Sequence, residues 1–246
     1  RPSGWMLEQM RLDLEQGYYP HYDRINHSVS HELFAKQERV SQQTYDGLRC
    51  WWSGEHEGYW KDGMIRMAFL AGDEAQKKRA LEWLDQLVAS QDEDGYIGIY
   101  RAGGEANTRF HHEGENGELW VTSRILQALI AAWDFTGDET YFTAVRRAVD
   151  CVIQEDPGNY FEVEGADGGV AHGIGFFDAL WFLVERTGET KYAAYTEKLY
   201  QDFCSVSVRD DDLQTGHLLS DATFRDHGAH VAEGFYVPQF AASLSN

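Results

Sequence analysis

The chain reads as an all-α protein, an (α/α)6-type toroid of helical hairpins forming a single domain over residues 1–246. Three observations predict this. A glycine-led turn recurs as Ala71-Gly72-Asp73-Glu74, Thr136-Gly137-Asp138-Glu139 and Thr187-Gly188-Glu189-Thr190. Each copy separates an apolar helical run from a second run with charged residues on one side. The segments that join one hairpin to the next are long, polar and rich in glycine.

The turn dictates the hairpin. Glycine accepts the left-handed conformation that ends a helix because it has no Cβ to clash. Asp73 and Asp138 then suit the cap of the next helix, and Glu189 is a weaker cap at the same place. So short a connection forces the two helices antiparallel.

Taken in order, residues 5–16 carry Trp5, Leu7, Met10, Leu12 and Leu14 among charges, a short helix ended near Gly17. A ring-rich loop follows at 18–22, and a further helix is expected at about 32–40. The first hairpin is expected from Tyr59 to about Ser90. The second begins at Glu118, with Leu119, Val121, Ile125, Leu126, Leu129, Ile130 and Trp133 covering most of its first helix. In its partner, Phe142, Val145, Val149 and Val152 face one way, and Arg146, Arg147 and Asp150 the other. The third repeats the contrast, with a nearly all-apolar run at 176–184 and a mixed one at 191–203. A helix apolar all round must be enclosed, and its amphipathic partner covers it. First helices should therefore form an inner layer and second helices an outer one.

Successive turn glycines lie 65 and 51 residues apart, and the excess sits in loops at 91–116, 155–171 and about 205–226. Loops this long in a compact domain are usually functional or disordered. With tight turns at one end, the long loops gather at the other. Four or five hairpins are legible where a closed ring has six, so the ring is expected to continue beyond Asn246.

Composition narrows the partners. The formal charge is −20, from 21 Lys and Arg against 41 Asp and Glu. Such a surface repels nucleic acid and anionic membranes, and neither is expected as a partner. No stretch reaches the ~18 apolar residues of a membrane span, which points to a soluble protein. Eight Trp, 13 Tyr and 13 Phe suit a carbohydrate partner, whose flat ring faces stack on aromatic side chains. Cys50, Cys151 and Cys204 are far apart and odd in number, so no disulfide framework or metal pair is readable. Compartment and oligomeric state leave no mark.

Each inner helix opens on similar text: Gly54-Glu55-His56-Glu57-Gly58-Tyr59-Trp60, Gly114-Glu115-Asn116-Gly117-Glu118-Leu119-Trp120, Ala171-His172-Gly173-Ile174-Gly175-Phe176, and His227-Gly228-Ala229-His230-Val231-Ala232-Glu233-Gly234-Phe235-Tyr236. In a toroid these ends converge on one cup. Glycine admits close approach, while Glu and His supply hydrogen bonds and proton transfer. Taken singly, each cluster reads as readily as a helix cap; four at equivalent places favour a shared site. Asp94-Gly95 is a turn signal that presents Tyr96. Gln91 to Gly98 lacks the spacing and closing Glu of a calcium-binding EF-hand, and His111-His112-Glu113 has no ligand spacing. No metal site is readable, and no cofactor is evident.

These residues resemble glycoside hydrolase family 127, the β-L-arabinofuranosidase-like (α/α)6 barrels. The likeness runs through Pro2-x-Gly4-Trp5-Met6-Leu7-x-Gln9-Met10, through Gly54 to Gly63, and through Gln91-x-x-Asp94-Gly95-Tyr96-Ile97-Gly98. Glu118-Leu119-Trp120 stands where the family often has HELYCAGH, His172 near its GHPE segment, and Ala229-His230-Val231-x-x-x-Phe235-Tyr236 at its GHAVxxLY. The resemblance implies a retaining hydrolase of furanosides or related plant or microbial sugars, with His172 and His230 lining the sugar pocket. Both family histidines of HELYCAGH are replaced, by Gly117 and Arg124, so His112 or Asn116 is expected to substitute. The resemblance also implies zinc held by Glu and Cys ligands, a pattern absent from this sequence and expected outside this chain.

The expected sugar contacts are Glu55, Trp60, Tyr96, His112, Asn116, Glu118, His172 and His230, with Trp60 and Tyr96 stacking. The resemblance implies an acid/base Glu and a Cys nucleophile later in the protein, expected beyond Asn246, so the catalytic residues are not fixed here; within this chain Glu55, Glu118 and Glu233 are the secondary candidates. The leading reading is a glycosidase. The alternatives are a non-catalytic carbohydrate-binding relative, or a sugar epimerase using His172 and His230 as acid and base.

Overall fold

The computed structural model describes residues 1–17, 19–21, 33–34, 39, 51–104, 106, 108–156, 158–164 and 168–245. The helix expected at 32–40 and Cys50 lie largely or wholly outside them. Among the described residues the regular structure is helical, with nine α-helices of seven or more residues and shorter turns that include Tyr19–His21 and Thr215–Leu218, and an isolated β-bridge joins Thr108 and His111. The helices are α1 (Trp5–Glu15), α2 (Trp51–Ala71), α3 (Glu74–Ala89), α4 (Glu118–Thr136), α5 (Glu139–Glu155), α6 (Phe177–Thr187), α7 (Thr190–Ser205), α8 (Gly228–Gly234) and α9 (Val237–Leu244). A helical turn (Gly168–Ala171) and a 3₁₀ segment (His172–Phe176) lead into α6. The fold is all-α, as expected of the toroid. No helix among the described residues is long and apolar enough to cross a membrane.

The three hairpin turns have the expected chemistry. Gly72, Gly137 and Gly188 take φ of 75°, 69° and 65°. Asp73 accepts the Gln76 N–H at 3.0 Å and Asp138 the Thr140 N–H at 2.9 Å, which satisfies a free donor of α3 and of α5. Glu189 makes no capping bond and instead pairs with Arg146 at 2.9 Å.

The layers also follow. α4 is buried from Glu118 to Leu126 without a break, whereas α5 buries only one face, through Tyr141, Val145, Val149 and Val152. α2, α4 and the 3₁₀ segment pack side by side as the inner layer, and α3, α5 and α7 each lie against their own inner partner.

One boundary differs from expectation. α2 is already helical at Trp51, eight residues before Tyr59, and runs through Gly54 and Gly58. These glycines, four apart and so on one face, are contact points. A Cβ on Gly54 would lie 2.6 Å from Val121 Cγ1, and one on Gly58 2.6 Å from Arg124 Cβ. They let α2 and α4 approach more closely than side chains allow.

The loop after α3 is fastened to the outer layer. Arg147 donates to the Asp92 and Glu93 carbonyls at 2.9 and 3.0 Å, and Gln91 Nε2 donates to the Gly95 and Ala144 carbonyls. Gly95 has φ of 100° and sits against the Arg147 carbonyl, where a Cβ has no room.

Candidate active site

All four glycine-rich clusters contribute residues around one centre. The turn at 168–171 and the 3₁₀ segment carry His172, whose Nε2 lies 2.5 Å from Asp210 Oδ2. This segment can lie against α4 because Gly173 and Gly175 have no side chains. Cβ atoms there would sit 2.5 Å from the Tyr160 ring and 2.6 Å from Trp120. α8 brings His230, with its ring centroid 3.5 Å from that of His172 and its Nδ1 3.9 Å from Asp210 Oδ2. The buried Trp120 ring underlies both histidines, 5.3 Å from each.

The histidines and Asp210 open on a cavity of about 720 Å³, which Trp51, Trp52, Glu115, Asp226 and His227 also line, along with Arg209 and Arg225. The His172 hydrogen bond, with His230 close by, holds the Asp210 carboxyl well below the usual carboxylate range. Burial pushes His172 below its ordinary value, although Asp210 opposes the shift.

Glu55 and Glu233 lie beside this centre. Burial raises the Glu55 carboxyl above its ordinary value; the Trp120 N–H, His230 and Arg124 act against the rise, and the Glu233 charge adds to it. Glu233 is at the end of α8 and accepts the Tyr59 hydroxyl at 2.9 and 3.2 Å. Arg124 sits between them all. Its guanidinium lies 4.4 Å over Trp120, 3.0 Å from Asp178 and 3.8 Å from Glu233. Asp178 in turn accepts the Tyr236 hydroxyl at 2.5 Å.

The remaining expected contacts lie elsewhere. Tyr96 and Glu118 are 2% and 1% exposed and face each other. Glu118 accepts the Tyr96 hydroxyl at 2.6 Å and the Phe110 N–H at 3.1 Å, with His112 Nε2 at 2.8 Å. Its oxygens are spent on the protein, so this carboxylate ties the loop after α3 to the start of α4. The guanidinium groups of Arg39 and Arg109 lie over the Tyr96 ring, at 5.1 and 4.8 Å. Asn116 caps α4 by accepting the Glu118 N–H at 3.0 Å, and it also accepts the Tyr160 hydroxyl at 3.1 Å. His112 and Asn116 line a separate cavity of about 340 Å³ with Tyr160 and Glu162. Trp60 lines a third, of about 310 Å³, with Asp13, Tyr19 and Tyr59. Replacing Tyr96 by Phe removes one donor to a buried carboxylate, and the expected cost is about 1–3 kcal/mol in urea unfolding.

Sequence reasoning missed Asp210, Trp51, Trp52 and the Arg124–Asp178–Tyr236 chain. Trp51-Trp52 directly precedes the first cluster and was the legible signal. Asp210 stands in an aspartate run with no periodicity to orient it.

Of the described cysteines, Cys151 and Cys204 do not form the zinc set that the resemblance implies. Cys151 is buried in α5 with its thiol pushed up to about 12 by burial. Cys204, on α7, accepts the Thr215 N–H at 3.5 Å. Neither belongs to a metal-ligand cluster among the described residues.

The family model for the beta-L-arabinofuranosidase GH127 catalytic domain matches residues 2–239. The chain belongs to this family. No curated protein matches the chain significantly. GH127 membership makes glycoside hydrolysis the general activity and a carbohydrate the partner.

Proposed function

We propose that this GH127 domain hydrolyses β-L-arabinofuranosides or related furanosides in the cavity of about 720 Å³. The observation that carries the reading is the pair of unlike carboxylates beside the histidine centre. Glu55 is shifted toward its protonated form by burial, and Glu233 is held by the Tyr59 hydroxyl. Two carboxyl groups in different surroundings are what cleavage of a glycosidic bond requires.

In this reading Trp51 and Trp52 present ring faces to the sugar, and His172 and His230 hydrogen-bond its hydroxyls. Asp210 orients the His172 imidazole. Glu55 gives its proton to the leaving oxygen as the glycosidic bond breaks, and Glu233 supports the positive charge that develops at the anomeric carbon. Retention follows if Glu233 attacks that carbon, and inversion if it activates water.

The epimerase alternative needs an acid and a base reaching one sugar carbon. Rings 3.5 Å apart in centroid stand side by side on one wall, which disfavours opposite-face chemistry.

The test is release of free sugar from aryl and oligosaccharide β-L-arabinofuranosides, with the anomer of the first product followed by NMR. Release supports the hydrolase. Saturable binding without release supports the binding relative, and exchange of a sugar C–H in deuterated water without release supports the epimerase.

A further inference from the structure

We propose that His172, Asp210 and His230 bind one divalent transition-metal ion of the zinc class at the wall of the large cavity. One ligand atom from each residue lies within 4.8 Å of the other two. Two imidazoles and a carboxylate form a borderline N/O donor set of the kind that suits zinc and its neighbours. It differs in residues and chemistry from the Glu and Cys set that the family resemblance implies.

The packing supplies a second, independent observation. The rings of His172 and His230 press together at 3.5 Å between centroids, although neither donates to the other. Nδ1 of each ring is buried and has no hydrogen-bond partner. His230 Nδ1 faces Asp210 Oδ2 at 3.9 Å, too far for a hydrogen bond. Around a tetrahedral ion with ~2.0–2.1 Å bonds, neighbouring ligand atoms stand roughly 3.3 Å apart. The 2.5 and 3.9 Å separations from Asp210 bracket that spacing, and the two imidazole ligand atoms lie within 4.8 Å of each other.

The frame around the cluster is built before any ion arrives. Trp120 backs both histidines. The loop that carries Asp210 is closed on itself. Asp212 accepts the Arg225 and Asp226 N–H groups at 2.7 and 2.8 Å, and Tyr200 donates to the Leu213 carbonyl at 3.0 Å. The remaining side is the cavity itself, so a three-residue set leaves one position open to water or a sugar hydroxyl. Three protein ligands with an open position is the pattern of reactive zinc sites rather than structural ones.

The proposal stands apart from the hydrolase reading, and its test reads metal directly. Chelator-stripped protein is titrated with Zn²⁺ by calorimetry and with Co²⁺ by its visible ligand-field absorption. One equivalent per chain is expected. His172→Ala, Asp210→Asn and His230→Ala are each expected to weaken binding by more than about 100-fold, beyond what removing a merely orienting residue does. His217→Ala, in the neighbouring Asp211–Asp212–His217 cluster, is expected to leave affinity unchanged. Far-UV circular dichroism melts identify variants that remain folded, and Asp210→Asn keeps the side-chain shape if an alanine variant does not. Absence of saturable binding overturns the proposal, as does binding that survives the three substitutions or follows His217→Ala. Metal binding without glycoside cleavage overturns only the hydrolase reading.

Discussion

Replacing Glu55 by Gln is expected to lower kcat on an aryl β-L-arabinofuranoside by about 10²–10⁴-fold, with little change in KM. The amide keeps the size of the side chain and its contact with the Trp120 N–H, but it has no proton to give. The pH profile carries the sharper reading. Burial raises the folded carboxyl above its ordinary value, so the protonated acid persists to a higher pH than an exposed Glu allows. The basic limb of kcat should therefore fall above the ordinary carboxylate range in the native enzyme and vanish in E55Q. A substrate with an activated phenol leaving group, which needs little protonation, should recover much of the rate. An E55Q enzyme with an unchanged kcat and pH profile would remove Glu55 from the chemistry. The same sign applies to stability. A raised acid favours the native state at low pH, and that contribution is lost as pH climbs through the folded value.

Gly58→Ala is expected to be the most damaging single methyl group in the inner layer. The new Cβ would stand 2.6 Å from Arg124 Cβ and 3.0 Å from the Arg124 backbone carbon, and neither is the free end of a side chain. Relief requires α2 to move off α4, which disturbs the Trp120–Arg124 stack and the acids beside it. Overpacking at this level costs about 3 kcal/mol, equivalent to a fall in Tm of roughly 6–12 °C for a domain of this size. Gly216→Ala is the control. A Cβ there meets nothing within 4 Å, and the change should shift Tm by no more than about 2 °C. Equal melting of the two variants would show that the helices have room to separate.

Much of the frame was legible because it depends on neighbours in the chain. The Gly-Asp turns rest on one backbone conformation and one cap, both local, and Asp73 and Asp138 cap as expected while Glu189 does not. The inner and outer layers follow from how much of each helix is apolar. The start of α2 was misread because glycine inside a helix looks like a break until its contact partner is known.

The candidate site was legible only in part. The sequence by itself determined that the chain is an all-α ring of hairpins and that its inner helix ends carry His, Glu and Gly. It also drew out Glu55, His172, His230 and Glu233, which the fold brings near one another. Only the tertiary structure decided which neighbours in the text share that centre. Glu55 lies beside His230 and Glu233, whereas Trp60, five residues on and about 140° around the helix, lines another cavity, which Tyr59 also lines. Glu118 and Tyr96 read as site residues, yet they satisfy each other, because a carboxylate buried at a helix start must be paired by whatever loop folds over it. Asp210 had no periodic signal at all. Its place beside His172 and His230 is set by loop closure across long sequence separations, which no local preference encodes.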